Sequence, residues 1–218
     1  MRVLTWNTWK NSPPYQDRLS TMAELAAEAD PDIVLLQEAF VGGGFDTAGH
    51  IAARLGLQVA AAPARRKERA HDGAMLDSTN GLAILSRRPV DAQRILALPT
   101  HPDDPERIAQ IARIGAMTVV NLHLTHLDGA HALRRGQILH LLDRLTVDAA
   151  TVIGGDLNAE PNDPAVQVLR DAGFSDLAEA TPFTTAGTRR IDFLLCRGLP
   201  VEGASVTAVG DTPGAGVK

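Results

Sequence analysis

The sequence predicts an α/β fold, and three observations carry the prediction. Apolar runs of strand length alternate with segments whose apolar residues recur at helical spacing. DIVLLQE (32–38) is apolar along Ile33 to Leu36 without alternation, as in a strand covered on both faces. Between 81 and 124 strands follow one another with no helix between them, which implies some antiparallel pairing.

Val3 to Trp6 read as the first strand. Leu19, Met22, Leu25 and Ala26 recur at helical spacing, so 16–29 reads as a helix, stopped by Pro31. After the 32–38 strand, FDTAGHIAARLG (45–56) reads as a helix closed by Gly56. LQVAAA (57–62) reads as a strand, and the polar residues 63–80, with RRKER at 65–69, as a loop. GLAILS (81–86) and RPVDAQRILAL (88–98) read as strands, HPDDPE (101–106) as a turn, and GAMTVVNLHL (115–124) as a strand. Ile138, Leu141, Leu142 and Leu145 mark one face of a helix over 129–146. VIGGD (152–156) is the next strand. Asn162 or Asp163 then caps a helix that has Pro164 near its first position. RRIDFLL (189–195) and GASVTAV (203–209) are the last strands.

The 218 residues are enough for one domain with a sizeable core, and no repeat or linker divides them. Apolar content of 44% and charged content of 22% are those of an ordinary globular protein. A net charge of −5 weighs against general duplex binding, which needs a basic face, though not against a local basic patch. Aromatic content of 4% gives little sign of a base-stacking platform. Cys196 is the only cysteine, so no internal disulfide forms, and it reads as a buried apolar filler. No signal-like segment is visible and no apolar run reaches membrane-spanning length. A cytoplasmic location without stable membrane insertion is expected, and no partner protein is evident; a secreted mature form is also compatible.

Polar residues interrupt or end five of the apolar strands: Asn7, Glu38, Asn121 with His123, Asp156 with Asn158, and Asp192. One strand-end acid alone is more often a cap or a solvated group. Five such positions are harder to explain that way, because each is costly if buried without a partner. Glu38 offers a hard anionic oxygen of the kind Mg²⁺ takes, and Asn7 would support that site directly or through water. Asp156 suits a general base for a water nucleophile. Asn158 would donate to a phosphoryl oxygen or orient the water, and a protonated His123 would stabilise phosphate charge. On an extended chain Asp156 and Asn158 share a face, and Gly154 and Gly155 would allow close approach of neighbouring backbone or substrate. These are the parts that phosphoester hydrolysis needs.

With these residues on the page, the sequence resembles the endonuclease/exonuclease/phosphatase superfamily, the deoxyribonuclease-I-like proteins. The matching stretches run in family order: LTWNTW, DIVLLQE, GLAILSR, VVNLHL, RRGQ with Arg134 and Gln137, GGDLNAEP and RIDFLL. The resemblance implies a four-layer sandwich, two mixed β-sheets packed face to face with helices outside. It implies Mg²⁺ (or Mn²⁺) at Glu38 helped by Asn7, and Asp156, Asn158 and His123 at the water and phosphate. It also implies that Asp192 orients a histidine. The expected function is a divalent-metal-dependent phosphoesterase. Its substrate would be a nucleic acid, a nucleotide, an inositol phosphate or a phospholipid head group.

One departure stands out. The family closes with Ser-Asp-His on a further strand, but here Asp211 is followed by Thr212 and no histidine follows His140. Either the chain lacks its C-terminal strand, or the protein is a weak or inactive relative that binds a phosphate ligand or a protein. The first is expected, because every other motif survives. Arg134 and Asn80 are candidates for substrate binding, though helix anchoring and turn chemistry explain them as well. RRKER reads either as a phosphate contact or as a solvated charge run, and VGGGF (41–45) either as a mobile loop or as a plain connection. His126 and His131 read as surface residues.

Overall fold

A computed structural model describes residues 1–146, 150–177, 184 and 189–200. Within these, the two sheets are built one after the other along the chain. The first contains β1 (Val3–Asn7), β2 (Ile33–Gly42), β3 (Phe45–Asp46), β4 (Gln58–His71) and β5 (Ala74–Ser86), ordered β1-β2-β5-β4 with β3 beside β2. The second contains β6 (Ala92–Ala97), β7 (Ile108–Ile114), β8 (Met117–His123), β9 (Thr151–Asp156), β10 (Ser175–Asp176) and β11 (Asp192–Arg197), ordered β10-β11-β9-β8-β7-β6. β1 runs parallel to β2, and β8 to β9; antiparallel pairs complete both sheets, so both are mixed.

Three buried clusters separate four layers. Helices α1 (Tyr15–Ala29) and α2 (Thr47–Leu55) place Leu19, Met22 and Ile51 against Val34, Leu36 and Leu85 of the first sheet. Ile33, Leu35 and Ile84 then meet Ala112, Ile114 and Val119 between the sheets. On the far side, Val120, Leu122 and Ile153 carry Ile138 and Leu141 of α3 (His131–Leu142) and Val166 and Leu169 of α4 (Pro164–Asp171). β2 shows the cause. Its side chains alternate faces, and each face has a cover, so both sets of residues are apolar. The result is the expected sandwich of two mixed sheets with helices outside.

Helix boundaries follow local chemistry. Asp163 caps α4 by accepting from the Ala165 N–H at 2.9 Å, with Pro164 in the first turn. Asp46 caps α2 by accepting from the Gly49 N–H at 2.9 Å.

Several expectations are corrected. Residues 63–80 are not a loop; they form most of the long β4–β5 hairpin, whose Asp72-Gly73 turn has φ of 47° and 81°. That Asp-Gly pair is a hairpin signal in its own right. Of the two readings of VGGGF, the connection fits: Val41 and Gly42 pair with Asp46 and Phe45 around a two-residue Gly43-Gly44 turn. β2 does not end at Glu38 but continues to Gly42. Ile108–Ile114 is a strand of its own, β7. The 203–209 strand lies outside the described residues.

The glycine pair in β9 is dictated by crowding. A Cβ on Gly154 would stand 2.6 Å from Leu35 of the facing sheet and 2.7 Å from Leu194. On Gly155, at φ 137°, it would stand 2.0 Å from the carbonyl oxygen of Leu122 in β8. Gly155→Ala should therefore lower the unfolding free energy by about 3 kcal/mol or more. Gly44→Ala, with nothing within 4 Å of its Cβ, should lower it by about 1 kcal/mol through backbone strain alone. Urea midpoints measure both, and equal losses would refute the crowding account.

Candidate functional site

Three strands of the second sheet bring one row of ionisable residues to a common level. His123 pairs in register with Asp156 across β8 and β9, and Asp156 with Asp192 across β9 and β11. The first sheet supplies Asn7 at the end of β1, in register with Gln37 beside Glu38. The two halves meet where Asn7 Nδ2 donates to Asp156 Oδ2 at 2.9 Å. Asn7, Glu38, Asn80, His123, Asp156 and Asn158 all line one cavity of about 300 Å³. Asp192 stands one strand further along the row, outside that lining.

Of the two readings of Arg134, its contacts fit the helix anchor rather than substrate binding. It is buried, and its guanidinium donates to Asp163 at 3.2 Å and to the carbonyls of Thr125 and Leu127 at 3.4 and 3.1 Å. It pins the segment after β8 to α3 and α4 and does not line the cavity. His131 shares Asp163, with Nδ1 2.6 Å from its carboxylate.

Glu38 owes its position to a bulge. The β2–β5 register slips between Leu36 and Ala39, so that Gln37 and Glu38 together oppose Leu82. Glu38 takes φ 55°, in the left-handed region, which turns it toward the cavity. Asn158 also lies in that region, at φ 46°. Its shared side with Asp156 thus comes from a turn rather than from strand alternation. Asp156 Oδ1 accepts the Asn158 N–H at 2.8 Å, and Asn158 Nδ2 donates to the Leu124 carbonyl at 3.0 Å.

Burial governs the charge states. It raises the Asp156 pKa, as does Glu38 nearby, against hydrogen bonds from Asn7 and the Asn158 N–H that lower it. Burial also lowers the His123 pKa well below its usual value, and Arg107 and Lys10 add to the effect. The condition set in the sequence reading, a protonated ring, is thus disfavoured by burial, and an uncharged ring still carries one N–H. Its Nε2 is 3.7 Å from Asp156 Oδ2.

The residues fit a divalent cation at Glu38. Glu38 Oε2 is buried without a hydrogen-bond partner, and a cation, Lys10 Nζ, stands 3.3 Å from Oε1. One carboxylate suits Mg²⁺, which retains several waters. Among the described residues no group of three or more His, Cys, Asp or Glu gathers for a metal. The Asn7 amide is engaged elsewhere, with Asp156 and, through Oδ1, with the Trp9 N–H at 3.0 Å. Its oxygen keeps one lone pair for a cation or its water.

Trp9, Lys10 and Arg107 also line the cavity and escaped the sequence reading, while Arg65, Lys67 and Arg69 of RRKER line it as well. Arg107 follows the HPDDPE turn and grips Asp104 with two bonds of 2.8 Å. Buried Arg18 shapes the Trp9–Lys10 segment by donating to the carbonyls of Thr8 at 3.0 Å and Ser12 at 2.9 Å. Both Trp9 and Lys10 are left-handed there, at φ 55° and 51°. The period-2 spacing of Arg65, Lys67 and Arg69 was the available signal for the basic wall.

The Asp192 pKa is pushed up to about 7 by burial and by the Asp156 carboxylate, against a hydrogen bond with Thr184. The folded state thus holds this proton more tightly than the unfolded chain, whose value is near 3.8. The resulting stability is complete below about pH 4 and is lost as pH rises through about 7. In EDTA, wild type should lose about 2 kcal/mol more than Asp192→Asn between pH 5 and pH 8. Urea unfolding at the two pH values measures this, and parallel losses would contradict it.

Comparison with known proteins agrees with this architecture. No curated protein sequence matches the chain. Among solved structures, the human Nocturnin catalytic domain with bound sulfate anion is 21% identical with a TM-score of 0.70, over 90% of this chain and 82% of that one. An AP endonuclease from Archaeoglobus fulgidus is 18% identical with a TM-score of 0.64, over 90% of this chain and 86% of that one. An endonuclease/exonuclease/phosphatase from Beutenbergia cavernae is 21% identical with a TM-score of 0.68 over 90% of this chain, which spans 64% of its length. At these identities the likeness is one of fold. Residues 4–214 match the sequence profile of the Endonuclease/Exonuclease/phosphatase family, and the chain belongs to that family.

Proposed function

We propose that the chain hydrolyses phosphate esters with the help of Mg²⁺ or Mn²⁺ held at Glu38. The observation that carries this reading is the Asn7–Asp156 bond of 2.9 Å, which fixes a buried carboxylate beside the unpartnered Glu38 oxygen. A divalent cation there would offset negative charge on the phosphoryl and leaving oxygens.

The chain's own groups have distinct tasks. Asp156 takes the proton from an attacking water, and its raised pKa makes it a stronger base than an exposed carboxylate. Asn7 and the Asn158 N–H hold its two oxygens in place and leave each a lone pair for the water. Asn158 keeps one amide hydrogen free of the Leu124 bond, and neutral His123 adds another donor; both suit phosphate oxygens. Asn80 faces the same cavity and its oxygen accepts from Arg69. Asp192 remains the group that would orient a further histidine. Family membership supports phosphoester chemistry, and the sulfate held by the human Nocturnin domain is a tetrahedral anion like phosphate. Nucleic acid, nucleotide, inositol phosphate and phospholipid head group are the substrate classes to assay. No helix among the described residues is long and apolar enough to cross a membrane.

Hydrolysis of bis-p-nitrophenyl phosphate, DNA and phospholipid should require Mg²⁺ and stop in EDTA. Asp156→Ala should lower kcat by about 10³-fold or more, and an unchanged rate would overturn the role of Asp156. Binding gives an independent readout: Glu38→Gln should weaken Mn²⁺ binding, followed by electron paramagnetic resonance, at least about tenfold. Undiminished Mn²⁺ affinity would place the cation elsewhere.

A further inference from the structure

The β4–β5 hairpin turns a charge run into a cavity wall. Arg65, Lys67 and Arg69 are spaced two apart on β4, and all three line the cavity. Arg66, between them, is absent from the lining and instead pairs with Asp77. Most cations of the cavity are already neutralised. Lys10 stands 3.3 Å from Glu38, Arg65 3.7 Å from Glu106, and Arg107 2.8 Å from Asp104.

Lys67 and Arg69 differ. Neither has a carboxylate within 4.0 Å among the described residues. Arg69 is only 7% exposed and is fixed by neutral partners: Nη1 donates to Ser78 Oγ at 2.8 Å and Nη2 to Asn80 Oδ1. Its Nε is buried without any partner. Glu38 and Glu106 act on it only from beyond pairing distance, and a buried guanidinium without a paired counter-charge is costly unless an anion completes it. Beside it, burial, Arg65, Arg69 and Lys10 all push the Lys67 pKa down, which marks a local excess of positive charge.

We propose that Lys67 and Arg69 form a subsite for a second phosphate group, so that the substrate is a small phosphoester carrying two. This rests on the hydrolase reading above for the place of the first phosphate, near Asp156. A cavity of about 300 Å³ with two uncompensated cations fits a small bisphosphate. A nucleic acid would draw its affinity from many phosphate contacts along an extended basic surface.

The test uses α,ω-alkanediol bisphosphates of about three to six carbons, each against its monophosphate. Affinities are measured by calorimetry at fixed ionic strength with Mg²⁺ in the Asp156→Asn background, to prevent turnover. At the matching length the bisphosphate should bind about tenfold tighter than the monophosphate. Adding Lys67→Gln should abolish most of that ratio, whereas Arg66→Gln, which removes the same charge from the other side of β4, should leave it intact. A ratio unaffected by Lys67→Gln, or cut equally by both changes, overturns the subsite. So does an oligonucleotide that binds tighter than every bisphosphate with a steep salt dependence. Hydrolysis of bis-p-nitrophenyl phosphate by the unmodified protein separates the two readings. Turnover with a Lys67-independent ratio leaves the hydrolase and removes the subsite; a Lys67-dependent ratio without turnover does the reverse.

Discussion

The buried amide of Asn121 bridges the two sheets where the site begins. Asn121 of β8 donates to the carbonyls of Leu36 at 2.9 Å and Ala83 at 3.1 Å, and accepts from Gln37 Nε2 at 2.7 Å. Leu36 and Ala83 are the last register pair before the β2 bulge. The bulge interrupts the ladder there, and Asn121 satisfies carbonyls that would otherwise be buried at a cost. On the other edge, Thr8 closes the bulge by donating to the Gln37 carbonyl through both its N–H, at 2.9 Å, and its hydroxyl, at 3.0 Å. The bulge is what turns Glu38 inward. Asn121 lies two residues before His123, so this bridge ties the Glu38 bulge to the His123–Asp156 row.

The sequence makes much of this visible because burial on both faces forces β2, β8 and β9 to be apolar, so Glu38, His123 and Asp156 stand out against them. What it hides depends on partners distant in the chain. The Glu38 bulge is a mismatch between two strands, and neither strand alone encodes it. The β4–β5 hairpin escapes because its outer half lacks apolar alternation, leaving only charge spacing and the Asp72-Gly73 turn to betray it. The neutral state of His123 reflects burial together with Arg107 and Lys10, groups that converge only on folding. Arg134 sits in a family-like motif, yet its work is structural, because Asp163 and two carbonyls surround its guanidinium.

Net charge proves a poor guide to the site. The chain carries −5 overall, while its cavity gathers Lys10, Arg65, Lys67, Arg69 and Arg107. Folding achieves this segregation by exposing alternate sides of β4 to different surroundings. Within the cavity, the same loss of water that disfavours a charged His123 raises the Asp156 pKa.

The order of the sheets along the chain has a further meaning. All strands of the first sheet precede those of the second, with only residues 87–91 between them. Asn7, Glu38 and Asn80 therefore belong to one contiguous half, and His123, Asp156, Asn158 and Asp192 to the other. Cutting the chain at that connector would leave each fragment with its own sheet but with half of a site. The seam between the sheets is thus also the seam along which the candidate site would divide.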